Sequence, residues 1–448
     1  MATKKLYIQT FGCQMNVHDS EQIAALLKPC GYEETDRASR ADVILVNTCS
    51  IREKAAQKVY SQLGRFSLLK KDKPGLIIGV GGCLAQQFGK KMLQRVPFVD
   101  LIFGTHNNHL IPDLLERVKT ARSPVVETAF RESVPSIGFH AVPPKGAISA
   151  FVTIMQGCNN FCSFCVVPYV RGREESRKPE AIVEEIRVLA EHGIREVTLL
   201  GQNVNSYGST LGDGSNFPKL LREINRIDGI ERIRFTTSHP KDLSDELIEC
   251  FVSVEKLCGH IHLPVQSGSD SILRRMNRRY TKADYLKKVE KLRSACPGIS
   301  ITSDVIVGFP GETDADFEET LHLMREVKFD GLFSFQYSER EGTAALAYRD
   351  KVRDCHKRER LRFLQALQDE HTLEKNKNWV GQDVWVLVDG YSRNSRSEVS
   401  GRTTTNRIVN FRGESSWIGE TVAVTITDAY LHSLHGERFE GGEGRTCL

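Results

Sequence analysis

Three cysteines, Cys158, Cys162 and Cys165, fall within residues 156–165, separated by three residues and then by two. Soft thiolates this close together favour a metal. A structural zinc takes four protein ligands, and no second cysteine pair or histidine pair follows nearby. Iron–sulfur cubes are commonly held by four thiolates. A trio therefore leaves one iron open, and an open metal position is where substrate or cofactor binds. The apolar run 150–155 precedes the trio and reads as a strand. The cysteines begin at its carboxyl end, where sites gather in α/β folds.

A second trio emerges from the elements before it. Residues 6–120 alternate short Val- and Ile-rich runs, at 6–10, 43–47, 76–80 and 98–103, with segments of helical period. That pattern predicts βαβ units and a parallel sheet. Cys13, Cys49 and Cys83 each follow one of the first three runs. All carboxyl ends of a parallel sheet share one edge, so these thiols can converge although far apart in sequence. The bland alternative is three buried structural cysteines. Three on consecutive strand ends favour a second metal site, again with one position open.

Residues 123–145 read as a connector, broken by Ser123-Pro124, Pro135, Pro143-Pro144 and Gly146 just beyond. From 146 to 345 the βα pattern repeats six times, with strands expected at 151–155, 196–200, 233–237, 260–263, 300–306 and 332–337. Six such units predict a partial (β/α)6 barrel with its site at the strand ends. Residues 346–378 are densely charged and read as a solvated helical tether. Residues 379–442 carry strand signals at 384–388, 407–411 and 421–427 with Gly turns, predicting a small β-barrel. Arg393, Arg396, Arg402, Arg407 and Arg412 make it basic, as nucleic-acid-binding barrels often are. The tail beyond Glu440 is Gly-rich.

The chain has 448 residues, 40% hydrophobic and 26% charged, with a net charge of +4. It is no polycation, so any nucleic-acid contact must come from local basic patches. No stretch reads as a signal peptide or a membrane span. Twelve cysteines without a signal peptide favour reduced thiols in the cytoplasm.

The spacing Cys-x3-Cys-x2-Cys resembles the signature of radical S-adenosylmethionine (SAM) enzymes. The order of parts resembles the methylthiotransferase family over essentially the whole chain, whose C-terminal barrel is a TRAM domain. The stretches that carry the resemblance are Gln-Thr-Phe-Gly-Cys-Gln-Met-Asn at 9–16, Asn-Thr-Cys-Ser-Ile-Arg-Glu-Lys at 47–54, Gly-Val-Gly-Gly-Cys at 79–83, Leu-Leu-Gly-Gln-Asn-Val-Asn at 199–205, Phe-Thr-Thr-Ser-His-Pro at 235–240 and His-Leu-Pro-Val-Gln-Ser-Gly at 262–268. Those at 47–54 and 235–240 are most similar to the bacterial tRNA branch.

The resemblance implies two [4Fe–4S] clusters and SAM. One cluster would sit on Cys158, Cys162 and Cys165, the other on Cys13, Cys49 and Cys83. It implies methylthiolation of C2 of N6-isopentenyladenosine next to the anticodon. SAM would be both radical source and methyl donor, with sulfur from the N-terminal cluster. No catalytic side chain beyond the cluster ligands is implied. The SAM pocket would include Gln202, Asn203, Ser238, Gln266 and Asp304. A reduced flavodoxin- or ferredoxin-type donor would supply electrons. Arg171, Arg173, Arg177, Arg274, Arg275, Arg278 and Arg279 are candidates for RNA phosphates, against the plainer reading of solvated helix faces. Cys30, Cys250, Cys258, Cys296, Cys355 and Cys447 read as structural or incidental. Sister branches act on threonylcarbamoyl-adenosine or on a ribosomal-protein aspartate. A non-enzymatic Fe–S protein that binds RNA is the rival from another class.

Overall fold

In the computed structural model, residues 3–49, 53–121, 123–130, 143, 146–393 and 395–439 are described. Ser50–Arg52 of the stretch at 47–54, most of the connector with Pro135 and Pro144, and the tail with Cys447 lie outside them.

The N-terminal sheet has six parallel strands: β1 Lys4–Thr10, β2 Tyr32–Glu34, β3 Val43–Thr48, β4 Ile77–Gly82, β5 Leu101–Phe103 and β6 Val125–Glu127. Their order is β2-β1-β3-β4-β5-β6. Helices α1 Gln14–Leu27, α2 Glu53–Asp72, α3 Cys83–Phe88 and α4 Ile111–Thr120 intervene. β3 is buried at every position, as a strand covered on both faces must be. Ile44, Val46, Ile78 and Val80 feed one core, and Leu6, Val43, Leu45 and Leu101 another. Two strands were not legible. β2 and β6 are three residues each, and β6 lies inside the segment read as a connector.

The central domain carries β7 Ser149–Thr153, β8 Met155–Gln156, β9 Glu175–Ser176, β10 Glu196–Leu200, β11 Arg232–Phe235, β12 His260–His262, β13 Ser300–Val307 and β14 Gly331–Gln336. β7, β10 and β11 form one parallel sheet and β12, β13 and β14 another. The Ile233–Leu257 bridge links them, which makes the six-stranded partial barrel expected from the sequence. β8 and β9 form a small antiparallel pair beside the cysteine loop. Helices α5 Val167–Val170, α6 Pro179–Glu191, α7 Phe217–Asn225, α8 Asp245–Ser253, α9 Asp270–Arg275, α10 Lys282–Ala295 and α11 Asp314–Val327 connect the strands. Their starts follow local chemistry: Pro179 opens α6, and capping boxes of Thr281 with Asp284 and Thr313 with Asp316 open α10 and α11. Val197, Phe235, Leu263, Val305 and Leu323 share one dry core.

α12, Asp354–Lys377, is not the solvated helix that its charge suggested. Its inner face buries Arg360, Leu364, Gln368, His371 and Asn376. Arg360 pairs with Glu312 at 3.0 Å and with Asp314 at 2.7 Å, and Gln368 donates to the Phe329 carbonyl. Leu361, Leu364 and Leu367 pack on the central core, but polar residues with specific partners share that face and dilute the apolar stripe by which sequence finds it.

The C-terminal strands β15 Asp383–Tyr391, β16 Glu398–Arg402, β17 Ile408–Arg412, β18 Thr421–Ala429 and β19 Leu434–Arg438 close into a barrel in the order β15-β16-β17-β19-β18. Val386, Val399, Val409, Phe411, Val424 and Ile426 fill it. The sequence pattern missed β16 and β19, which are interrupted by Gly401 and Gly436. Each glycine lies against a neighbouring backbone where a Cβ would collide, at 2.2 Å from the Leu387 carbonyl oxygen and 2.5 Å from that of Thr425.

This barrel docks on the partial barrel at the starts of its strands. Arg234 donates to the Thr403 and Thr404 carbonyls, and Arg232 to those of Arg402 and Trp385. Arg407, expected on the RNA surface, instead pairs with Asp330 at 2.6 Å. The N-terminal domain docks at the other end, where the strands finish.

Candidate active site

The N-terminal thiols sit where the topology puts them. Cys13 is the N-cap of α1, Cys49 follows β3, and Cys83 is the first residue of α3. The start of α1 is a favourable place for an anionic sulfur, because the helix dipole is positive there. Beneath the thiols lies a buried amide network. Asn16 Nδ2 donates to Asn47 Oδ1 at 3.1 Å, and Asn47 Nδ2 donates to the Asn16 carbonyl at 2.9 Å and to Ser20 at 3.0 Å. Two glycines permit this approach. Gly12, at φ 152°, would drive a Cβ to 2.8 Å from the Cys49 Cβ. Gly82, at φ 86°, would drive one to 2.3 Å from the Thr48 carbonyl oxygen.

The central trio lies on the loop between β8 and α5. Gly157, at φ 75°, lets the loop pass the Arg173 carbonyl, and its N–H donates to Gln202 Oε1 at 2.5 Å. The turn after α9 clasps the loop from the other side. Asn277 Nδ2 donates to the carbonyls of Asn160 and Phe161, and Ser163 Oγ to that of Arg275. Arg278 is buried and donates to the Cys162 sulfur at 3.4 Å, to the Pro264 carbonyl at 2.6 Å and to Tyr280.

The two sites meet. Cys83 packs on Val166 and Val170, the residues that follow Cys165. Thr105 Oγ1 donates to the Val170 carbonyl at 2.6 Å, and the His106 ring lies 3.0 Å from the Arg171 carbonyl. Arg171 pairs with Asp19 of α1 at 2.6 Å and is buried.

Burial pushes the Cys83, Cys158 and Cys165 thiols up, Cys165 to about 12. A dry pocket penalises the bare thiolate, so these sulfurs need a metal's positive charge to ionise. Among the described residues no three His, Cys, Asp or Glu side chains converge on a single-ion site. No disulfide joins the cysteines among the described residues.

Of the expected SAM residues, Gln202, Asn203, Ser238 and Gln266 follow the ends of β10, β11 and β12, and Asp304 lies within β13. Asn203 donates to Ser206 at 2.9 Å and to Asp242 at 2.7 Å, but its Oδ1 has no partner. Ser238 Oγ and Gln266 Oε1 are also buried without partners, as are both amide atoms of Asn205 and His239 Nε2. Asp304 lies 3.4 Å from His262 Nε2. Gln266 holds φ at 72°, a conformation costly for a side-chain residue and common at sites. Unsatisfied polar atoms in one barrel mouth fit a polar ligand of SAM's kind. Sequence reading missed Glu174, which is buried and accepts hydrogen bonds from Ser206 and Ser209; burial raises its carboxyl above the usual range. His239 lies in the strand-end stretch 237–240, which the sequence places in the pocket wall. Burial holds its ring well below the usual histidine range.

Not every candidate phosphate contact is free. Arg171 and Arg278 are buried at the thiols, Arg275 pairs with Asp350 at 2.9 Å, and Arg177 with Glu185 at 2.7 Å. Arg173, Arg274 and Arg279 are exposed. Tyr169, 49% exposed, lies edge-on to Phe161, and Arg173 lies over the Phe161 ring.

The Radical SAM superfamily model matches residues 152–324, the TRAM domain model 377–439, and a third, described as Uncharacterized protein family UPF0004, residues 5–104. A radical SAM methyltransferase, TsrM of Kitasatospora setae, superposes with a TM-score of 0.57 at 14% identity, covering 77% of this chain and 74% of that one. The partial barrel, with three thiols on the loop after its first strand, defines a protein of the radical SAM class. Two full-length relatives carry one name, tRNA-2-methylthio-N(6)-dimethylallyladenosine synthase. The one from Syntrophus aciditrophicus is 63% identical, covering 97% of this chain and 94% of its own. The one from Geobacter sulfurreducens is 53% identical, covering 97% of each. The chain belongs to the tRNA-2-methylthio-N(6)-dimethylallyladenosine synthase family.

Proposed function

We propose that this protein methylthiolates C2 of N6-isopentenyladenosine next to the anticodon of tRNA. The observation that carries this reading is the junction where Cys83 packs on Val166 and Val170, just beyond Cys165. That contact brings the loops bearing the two trios together.

Cys158, Cys162 and Cys165 would hold one [4Fe–4S] cluster, and Cys13, Cys49 and Cys83 a second. When bound, these groups with SAM supply an electron, a carbon radical able to take the inert C2 hydrogen, a sulfur and a methyl group. The chain's own residues do the rest. Gln202, Asn203, Ser238, Gln266 and Asp304 offer polar atoms to SAM at the strand ends. The Asn16–Asn47 network fixes the strand ends that carry Cys13 and Cys49. Val166 and Val170 close the junction against water. Phe161 and Tyr169, with Arg173, present an exposed aromatic and cationic surface on which an unstacked RNA base can lie. Arg393, Arg396 and Arg412 are exposed on the C-terminal barrel for phosphate contact. Electrons come from a reduced flavodoxin- or ferredoxin-type protein. Among the described residues no helix is long and apolar enough to cross a membrane, and we place the reaction in the cytoplasm.

Mass spectrometry of bulk tRNA nucleosides tests the reading. Cells lacking the protein should lose the 2-methylthio nucleoside and accumulate N6-isopentenyladenosine. Loss of a methylthiolated threonylcarbamoyl-adenosine instead would overturn the substrate.

A further inference from the structure

We propose that Arg171 is the counter-charge of the N-terminal cysteine trio, supplied from the central domain, and that it sets how readily a group held there takes an electron. The inference rests on the reading that this trio holds a [4Fe–4S] cluster.

Several elements fix this side chain in place. α5 ends at Val170, and the next residues are pinned from the N-terminal domain. Thr105 holds the Val170 carbonyl and His106 lies against that of Arg171. The Arg171 side chain is 3% exposed and reaches Asp19 Oδ2 at 2.6 Å. Asp19 lies on α1, the helix that Cys13 caps. Cys83 packs on Val170, the residue before Arg171. The buried guanidinium thus sits against a carboxylate of the helix that Cys13 caps, one residue along from the Cys83–Val170 contact.

Only arginine suits this position. Its planar fork can bond a carboxylate along one edge and a sulfur along another, whereas lysine is a point charge. The potential of a cysteine-held cluster depends on net charge and on hydrogen bonds to its sulfurs. Removing a buried positive charge should make that group harder to reduce. Removing the carboxylate while keeping arginine should make it easier. A residue that merely braces the interface would give no such opposite pair.

The test uses the full chain with Cys158, Cys162 and Cys165 all replaced by Ala, reconstituted anaerobically, so that one group remains. Its midpoint potential is read by electron paramagnetic resonance during redox titration, with iron counted. Arg171→Gln should move the midpoint negative, Asp19→Asn should move it positive, and Arg171→Lys should fall between Arg171→Gln and the parent. Shifts in the same direction, or no shift from Arg171→Gln, overturn the inference alone. A parent without iron overturns it together with the two-cluster reading. If Arg171→Gln does not fold, Asp19→Asn decides: a midpoint that fails to rise overturns the proposal.

Discussion

Arg407 of the C-terminal barrel and Asp330, at the start of the last central strand, form a part-buried ion pair at 2.6 Å. Asp330 also accepts from Lys375 of α12 at 2.8 Å and from the Ile301 N–H at 3.0 Å. One carboxylate therefore ties the barrel, the helix before it and the partial barrel together. Removing the carboxylate leaves Arg407 and Lys375 without their partner, which costs stability. Asp330→Ala should lower Tm and open the segment around 377–382 to limited proteolysis. An unchanged proteolysis pattern would mean that Arg232 and Arg234 hold the barrel without Asp330.

The same pairing separates two kinds of arginine on the barrel. Arg393, Arg396 and Arg412 are free to release counterions from phosphate, whereas Arg407 is engaged. Replacing the first three by Gln should reduce the slope of log affinity against log salt for tRNA by about 0.9 for each phosphate that is no longer neutralised. Arg407→Gln should lower stability and leave the slope alone. Equal slopes in both variants would exclude the three exposed arginines from RNA binding.

Much of the site was legible because its signals were local. The central trio is a short spacing, and the N-terminal trio repeats one position, a cysteine after a strand. Arg171 and Arg278 carried no such signal. Arg-Gly-Arg at 171–173 reads as a surface patch, and only tertiary packing shows that its first member is buried against Asp19. α12 failed for the same reason, since Arg360 and Gln368 face inward with partners distant in sequence. β16 and β19 were hidden because Gly401 and Gly436, needed for close backbone approach, weaken strand propensity.

The cysteine trios should be separable by substitution. Replacing Cys158, Cys162 and Cys165 by Ala should abolish reductive cleavage of SAM to 5′-deoxyadenosine. Replacing Cys13, Cys49 and Cys83 by Ala should leave about four of about eight irons, one cube of two. It should also leave some SAM cleavage, but no methylthio product. An N-terminal variant that keeps full iron and still forms product would refute the two-cluster scheme.

Glu312 gives a pH dependence of known sign. It follows β13, accepts from the Gly308 N–H and faces Arg360, but burial outweighs that arginine and raises its carboxyl to about 7. A carboxyl raised above its unfolded value of 4.5 stabilises the fold below that value. That contribution is lost as pH rises through about 7. Relative to Glu312→Gln, the wild type should therefore lose Tm between pH 5 and pH 8. A difference constant across that range would show that Arg360 keeps the carboxylate charged throughout.

The C-terminal barrel grips the partial barrel where its strands begin, at Arg232, Arg234 and Asp330, whereas the thiols lie where the strands end. A ligand that touches both must span the height of the central domain. With RNA held at both ends, the molecule would work as a gauge of length. A free nucleoside or a short oligonucleotide can fill the mouth but cannot reach the barrel, and a folded stem with its loop can engage both ends at once. Discrimination would then arise from the distance between two weak binding sites, through the gain in effective concentration that tethering gives.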